Sequence, residues 1–223
     1  KIRDWVGAAN ARRLFDMAEE SKRLIAERVA RHAIACDLVW SRFDAANKPG
    51  HLDELKAMQA DWAETYGYTG TTLVGRDALP GYVDSDAYVG GLHDPGGGHL
   101  HPLNYVLGLA RAAEDAGARI FEDSPVTEVA FGAKPAATTP AGSVEADYLL
   151  FCTNAYLDNL VPALQRKVMP VGTYIAATEP LGENRATALL PRNSGVTDCN
   201  FVLDYFRRTP DHRLLYGGRV SYS

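Results

Sequence analysis

The chain has 223 residues, 46% of them hydrophobic, so it can bury a substantial core as one large domain or two small ones. Its 23 basic and 28 acidic residues give a net charge of −5 without any run of lysine or arginine, which argues against a surface for nucleic acid or an anionic membrane. No apolar run approaches the roughly 20 residues that cross a bilayer. Three widely spaced cysteines, without a C-x-x-C pair, argue against a disulfide framework and favour the cytoplasm.

The first part of the chain is predicted to form two helices and two short strands. Apolar residues fall on one face of residues 8–31 and charged residues on the rest, which is typical of a long amphipathic helix. Residues 34–40 are predicted to form a strand. A turn then leads into a second helix that ends at Gly67, and residues 71–74 are predicted to form another strand.

A run of three glycines, residues 96–98, precedes a helix that we predict from Pro102 to Gly117. Proline suits a first helical turn because it lacks an N–H, and glycine can take the left-handed conformation that ends a helix. Such a loop can bring backbone N–H groups to an anion, although a plain connecting loop explains it equally well.

Four possible metal ligands stand close together around this loop, namely His93, Asp94, His99 and His101. They raise a metal site, and with it a metal hydrolase, as an alternative function. No further ligand stands elsewhere at a diagnostic spacing, so we predict no metal. We expect His101 to cap the helix or to line a pocket.

The next segments are predicted to contribute to a parallel sheet. Residues 119–121 follow the helix as a short strand, and residues 148–152 are apolar throughout, which indicates a strand buried on both faces. Between them a small meander is predicted at residues 126–131, 135–139 and 143–146. Ligands of parallel sheets bind beyond the carboxyl ends of the strands, so Thr153, Asn154 and Ala155 are candidate site residues.

Three later segments are rich in β-formers and partly alternate apolar with polar residues. They are residues 169–178, 200–207 and 214–218. Alternation is typical of strands with one solvated face, so these segments predict a second, antiparallel layer.

Seven short motifs stand in an order that is specific in combination. They are G-G-H-L-H-P at 97–102, A-G-A-R-I at 116–120, S-P-V-T-E-V at 124–129, T-N-A-Y-L at 153–157, M-P-V-G-T at 169–173, L-D-Y-F-R at 203–207 and R-L-L-Y-G-G at 213–218. In this order the chain resembles the D-amino-acid-oxidase-like family of flavoproteins, and within it the gamma-glutamylputrescine oxidases. The resemblance covers nearly the whole chain.

The resemblance implies a mixed α/β (α+β) fold. It would combine a partial Rossmann-like FAD-binding domain with a mixed, mostly antiparallel substrate-domain sheet and flanking helices. We expect residues 1–95 to hold the helical part and the start of the substrate domain. Residues 96–160 would contribute to the FAD-binding domain, and residues 161–223 would supply the antiparallel strands of the substrate domain.

The resemblance also implies the cofactor and the chemistry. Family members oxidise C–N bonds of amines or amino acids by hydride transfer to FAD, so we expect a small amine or amino acid as substrate and no nucleic acid or membrane as partner. Cofactor contacts are carried over to Val126, Thr153, Asn154 and Ala155. The substrate pocket would contain His101, Tyr174 and Tyr205, and the catalytic residues stay unknown.

The chain departs from the family pattern in one respect. It has no strand followed by G-x-G-x-x-G and a helix, nor the closing glycine-rich turn, so it resembles the middle of an oxidase. It also lacks an initiating methionine. We therefore expect a piece of a longer protein that is inactive alone and that self-associates through an exposed sheet edge. A cofactor-free binding fragment with a flavoprotein fold is the alternative.

Overall fold

A computed structural model of the chain describes residues 2–221, which divide into two units. The larger unit contains residues 2–113 together with Thr173–Arg219. The smaller unit contains Glu114–Gly172 together with Val220 and Ser221.

The helices follow the predicted order in the first part of the chain. They are α1 Ile2–Val6, α2 Ala8–Arg31, α3 Pro49–Asp61, α4 Pro102–Asp115, α5 Pro162–Gln165 and α6 Glu183–Leu189. The long amphipathic helix is confirmed as α2. Helix α3 continues into a π-helical turn, Trp62–Tyr66, and ends at Gly67 with φ 70°, as predicted. None of these helices is long and apolar enough to span a bilayer.

Ten strands occur among residues 2–221. They are β1 Arg42–Ala46, β2 Thr72–Gly75, β3 Gly90–Asp94, β4 Glu128–Ala130, β5 Ala136–Thr139, β6 Gly142–Glu145, β7 Gly172–Ala177, β8 Gly195–Asp198, β9 Tyr205–Arg208 and β10 Leu214–Ser221. Seven of these form one sheet in the order β2-β3-β1-β8-β9-β10-β7. Strand β1 runs parallel to β8, while β1–β3, β2–β3, β8–β9 and β9–β10 are antiparallel. The fold is therefore mixed α/β with a mostly antiparallel sheet, as expected.

The two faces of this sheet bury different residues. Phe43, Ala45 and Val196 belong to one cluster, with Leu79 of a 3-10 turn and Leu190 at the end of α6. A second cluster, on the other face, joins Ala46 and Leu92 to Leu55 of α3. Successive residues of a strand point to opposite faces, so β1 contributes to both clusters. We call the side of Phe43 face A and the side of Ala46 face B.

Helix α4 contacts the rest of the larger unit through a glycine. A side-chain carbon at Gly108 would lie 2.3 Å from Cγ2 of Ile34, so α4 can pack at this distance only without a side chain there. The predicted apolar side of the helix is largely exposed, with Leu103 and Val106 each 59% accessible.

The predicted strand at residues 34–40 is wrong. The chain reaches the sheet only at Arg42, because Ala33 and Asp37 have φ values of 49° and 51°, which interrupt an extended backbone. At residues 200–204 the predicted strand is also absent. There the Asp198 carboxylate accepts hydrogen bonds from the backbone N–H groups of Asn200 and Asp204, which holds a loop.

The smaller unit contains the predicted meander, confirmed as the antiparallel sheet β4-β5-β6. Residues 119–121 and 148–152 are not strands, so the predicted parallel sheet is not formed among residues 2–221. The side chains of Tyr148 and Leu150 are 91% and 83% exposed. A continuous apolar run indicates a need for burial, but a strand forms only where a neighbour satisfies its backbone groups.

Candidate functional site

A row of polar side chains crosses face B of the large sheet. Asp44 of β1 lies opposite Thr197 of β8, and Thr197 lies opposite Tyr205 of β9. Directly paired residues point to the same face of a sheet, so these three side chains are neighbours on face B. We call Asp44, Thr197 and Tyr205 the polar row.

Tyr205 lies flat across the adjacent strand. A side-chain carbon at Gly217 of β10, the residue paired with Tyr205, would lie 2.1 Å from Cε2 of the tyrosine ring and 2.7 Å from its hydroxyl oxygen. Only glycine leaves room for the ring at this separation. The sheet therefore fixes the orientation of a half-buried aromatic ring at the centre of face B.

Arg207 adds a cation to the same face, since it stands two residues beyond Tyr205 on β9. Its Nη1 donates to the backbone carbonyl of Arg208 at 3.4 Å, a long contact. Burial lowers the pKa of this guanidinium, and Asp37 counteracts the effect. Most donors of Arg207 thus have no partner among the described residues, which suits the binding of a carboxylate.

His99 interacts electrostatically with Arg207, and its burial favours the neutral imidazole. Its Nε2–H donates to the backbone carbonyl of Asn193 at 2.7 Å, while its buried Nδ1 has no hydrogen-bond partner among residues 2–221. The ring packs over Gly195, where a side-chain carbon would lie 3.3 Å from Cδ2. Burial is the main cause that lowers the pKa of His99, and Arg207 lowers it further. Nδ1 is therefore an acceptor in need of a donor.

Asp44 is held at the other end of the polar row by Arg42. Nε and Nη2 of Arg42 donate to Oδ1 of Asp44 at 3.1 and 2.7 Å. Asp44 is 6% exposed, and burial raises the pKa of its carboxyl while Arg42 opposes that rise. Because its carboxylate is paired with Arg42, Asp44 anchors the polar row and is not free to bind a ligand.

The glycine loop, residues 96–98, packs closely against other residues of the larger unit. Side-chain carbons at Gly96, Gly97 and Gly98 would lie 2.2 Å from the Tyr68 hydroxyl, 2.8 Å from Cβ of Arg42 and 2.3 Å from the Val39 carbonyl oxygen. Internal packing accounts for all three glycines. The loop is thus better explained as a connection than as an anion cradle.

The four possible metal ligands around this loop have separate partners. Nε2 of His93 lies 3.0 Å from Oγ of Ser41, and Asp94 accepts hydrogen bonds from the Tyr68 hydroxyl and from Gly96 N–H. His101 accepts the N–H of Asn104 at Nδ1, at 3.2 Å, which confirms the helix-capping role. Among residues 2–221 no three histidine, cysteine or acidic side chains are grouped to hold a metal ion.

The predicted cofactor residues lie in the smaller unit. Val126 is 41% exposed, and Asn154, with φ 51°, begins a 3-10 turn, Asn154–Leu157. Ala155 lines a cavity of about 400 Å³ together with Arg166 and Val168. No hydrogen bond joins Val126 to residues 153–155 in the described part of the chain, and the strand end that motivated this site is absent.

The residues present fit the part of FAD that faces a substrate better than they fit its pyrophosphate. Face B offers a flat ring, an uncommitted guanidinium and an orphaned acceptor in Tyr205, Arg207 and His99. The described residues show no glycine turn that directs backbone N–H groups at a pyrophosphate. Tyr174 of β7 is 60% exposed and has no hydrogen bond to the polar row among these residues.

The sequence predicts Tyr205 as a site residue but does not predict most of its neighbours. Thr197 was missed because β8 has only four residues and was not predicted. His99 was considered only as a metal ligand or a loop residue. Arg207 stood in the recognised L-D-Y-F-R motif, and its alternation with Tyr205 was a usable signal.

Comparison with known proteins gives one family and several relatives. The sequence pattern of the family described as FAD dependent oxidoreductase (DAO) matches residues 1–223. Gamma-glutamylputrescine oxidoreductase of Escherichia coli K12 is 40% identical over 217 residues, 97% of this chain and 51% of that protein. The probable oxidoreductase OrdL of Haemophilus influenzae is 38% identical over 222 residues, with the same coverage. The chain thus spans about half the length of the curated relatives it matches.

Solved structures show the same fold at low identity. Glycine oxidase from Geobacillus kaustophilus superposes with a TM-score of 0.68 at 20% identity, over 97% of this chain and 56% of that one. L-proline dehydrogenase from P. horikoshii gives a TM-score of 0.71 at 16% identity, over 92% of this chain and 56% of that one.

Proposed function

Because the chain belongs to the family of FAD dependent oxidoreductases, we propose that the whole protein oxidises a C–N bond of a small amine or amino acid. The carbon next to nitrogen gives up a hydride, the nitrogen gives up a proton, and the product is an imine. FAD, when bound, supplies the hydride acceptor. The E. coli relative, named for gamma-glutamylputrescine, indicates a substrate that carries an amine and a carboxylate.

The observation that carries this proposal is the set of groups around Tyr205 on face B. Arg207 is half-buried and largely unpaired in the described residues, so it can bind a substrate carboxylate through two parallel hydrogen bonds. His99 interacts electrostatically with Arg207, and burial keeps its imidazole neutral, so it adds no second positive charge next to this guanidinium. The Tyr205 ring and the sheet beneath it exclude water from one side of the substrate.

We propose further cofactor and substrate contacts on the strength of the family resemblance. Val126 and residues 153–155 would contact the nucleotide part of FAD, and His101 and Tyr174 would border the substrate. Residues 96–160 would then contribute to a Rossmann-like FAD-binding domain, and residues 1–95 and 161–223 to the substrate domain. All three cysteines are free thiols, which supports a cytoplasmic location.

The test uses the full-length protein. Flavin content is read from its absorption, and oxidation is assayed with gamma-glutamylputrescine and with putrescine, which lacks the carboxylate. Arg207→Gln should raise KM for gamma-glutamylputrescine about tenfold or more, because a charge-assisted hydrogen bond is worth about 1.5–3 kcal/mol. KM for putrescine should change much less.

Arg23→Gln is the matched control, since Arg23 makes exposed ion pairs on α2, and such pairs contribute little. A yellow protein that reduces its flavin with an amine supports the proposed function. A colourless protein, or a flavoprotein that no amine reduces, would overturn it. Equal KM values for Arg207→Gln and the control would show that Arg207 does not bind the substrate.

A further inference from the structure

A cavity of about 280 Å³ lies on face A of the larger unit. Its walls include Val83, Leu189, Leu190 and Leu214, and one end is formed by aromatic rings. This volume is at the lower limit of typical ligand pockets, so it suits a short ligand. Phe206 lines the cavity and directly follows Tyr205 in β9, so the cavity and the polar row are on opposite faces of the sheet.

The aromatic end of the cavity is a stack of three rings. The Phe206 ring lies between those of Tyr88 and Tyr216, with centroid separations of 6.4 and 5.8 Å and interplanar angles of 22° and 7°. Burial, and then Asp204, raise the pKa of Tyr216 to about 12, and burial also raises the pKa of Tyr88. Both phenols therefore stay neutral, and the rings keep the electron-rich faces that attract cations.

The lining of the cavity carries a negative charge, while Arg76 donates to the backbone carbonyl of Tyr88 outside the lining. Asp84, which is exposed at its mouth, is the single charged side chain among the lining residues that the structure describes. Asp198 and Asp204 interact electrostatically with the two phenols and raise their pKa values. Arg208 lies further along face A, where its Nη1 donates to Oγ1 of Thr187 at 2.9 Å.

We propose that this cavity is a second ligand site, which binds the ammonium group of a short alkyl amine. The apolar walls accept the alkyl chain, and the ammonium group lies at the aromatic stack, within reach of Asp84. A neutral alcohol would gain the apolar contacts but neither the ring faces nor the carboxylate. A carboxylate ligand would be repelled by Asp84. The site is separate from the proposed oxidation site and does not depend on FAD.

The experiment titrates butylammonium, 1-butanol and butyrate into the full-length protein with labelled leucine methyl groups. The methyl signals of Leu190 and Leu214 report on the cavity, and those of Leu55 and Leu92 report on face B. Butylammonium should shift the cavity signals alone and bind about tenfold more tightly than 1-butanol, the ratio that cation–π and carboxylate contacts of this kind supply. Butyrate should bind most weakly.

Two variants test the assigned groups. Asp84→Asn should weaken butylammonium binding by up to about fivefold and leave 1-butanol binding unchanged, because exposed charge pairs are worth up to about 1 kcal/mol. Asp86→Asn is the matched control, since Asp86 is an exposed carboxylate that pairs with Arg76 and does not line the cavity. Phe206→Leu should lower the preference for butylammonium while the cavity stays apolar.

The outcomes are separable from those of the oxidation assay. Equal binding of butylammonium and 1-butanol, equal effects of Asp84→Asn and Asp86→Asn, or shifts confined to Leu55 and Leu92 would each overturn the second site. If the protein fails to oxidise amines but shows the selective cavity shifts, the proposed function falls and this site stands.

Discussion

The ring of Tyr205 occupies the space in which any residue other than glycine at position 217 would place its side chain. This contact joins β9 to β10 on face B and fixes the direction of the one aromatic side chain of the polar row. The L-D-Y-F-R motif at 203–207 and the R-L-L-Y-G-G motif at 213–218 are therefore two halves of one steric arrangement.

The variant Gly217→Ala should displace the Tyr205 ring. Adding a methyl group to a packed site costs about 1–3 kcal/mol of unfolding free energy, and here the strain falls on the proposed substrate face. We expect the full-length variant to lose amine turnover although it remains folded. Initial rates measure the turnover, and urea unfolding measures the free energy of unfolding. The control is Gly50→Ala in α3, where the added carbon would meet nothing within 4 Å. Equal behaviour of the two variants would contradict this account.

His99 should make the unfolding free energy depend on pH. Its pKa in the folded state is lowered from 6.5, so the unfolded chain takes up the proton first as pH falls. The stability is fully present above about pH 6.5 and is lost below it, by up to about 1.4 kcal/mol per pH unit.

Urea unfolding at pH 7.5, 6.5 and 5.5 measures this effect. The wild-type protein should lose more stability than His99→Gln over that range, and the difference removes the contribution of His93, whose pKa is lowered in the same direction. Parallel curves for the two proteins would show that His99 is not buried in its neutral form.

Asn154 should tolerate glycine but not a bulky residue. Its φ of 51° is in the left-handed region, which asparagine and glycine adopt more readily than other residues. In the full-length protein, Asn154→Phe should lower the flavin content, because it adds both backbone strain and bulk at the proposed nucleotide contact. Asn154→Gly keeps the conformation and should retain more flavin. An unchanged ratio of flavin to protein in Asn154→Phe would count against the assignment.

The larger unit could be predicted from the sequence where local chemistry decides the structure. Helix α2 and the end of α3 at Gly67 follow from periodicity and from a single left-handed glycine. Strand β8 could not be predicted, since its four residues show no run that differs from a loop. Its place between β1 and β9 comes from long-range pairing, which single-sequence patterns do not encode.

The candidate site could be predicted only in part, for a related reason. Tyr205 belonged to a recognisable motif, but its neighbours Asp44 and Thr197 are more than 150 residues apart in the chain and meet only through the β1–β8 register. The prediction of a strand at residues 148–152 failed for the opposite reason. Its apolar sequence signals burial, and the neighbours that would bury it are not among the described residues of its unit.

The exposed apolar side chains of that segment should make the 223-residue chain self-associate. Tyr148 and Leu150 are 91% and 83% exposed, and adjacent exposed apolar side chains favour association. Sedimentation velocity should show a concentration-dependent increase in mass, which Leu150→Ser reduces. Met17→Ser is the control, because Met17 is 63% exposed on α2. A monomer at all concentrations would contradict the prediction.

The 223-residue chain by itself should bind FAD weakly and should not turn over an amine. A dinucleotide is normally held at its pyrophosphate by the N–H groups of a glycine turn at a helix start, and the glycines at 96–98 are instead closed against Tyr68, Arg42 and Val39. The remaining contacts must offset an association cost of about 4–15 kcal/mol.

Titration of FAD, followed by flavin fluorescence, should therefore give a dissociation constant weaker than about 1 µM, corresponding to about 8 kcal/mol. The full-length protein, titrated in parallel, is the positive control. Micromolar or tighter binding by the short chain, with peroxide formed from gamma-glutamylputrescine, would show that its own residues complete the cofactor site.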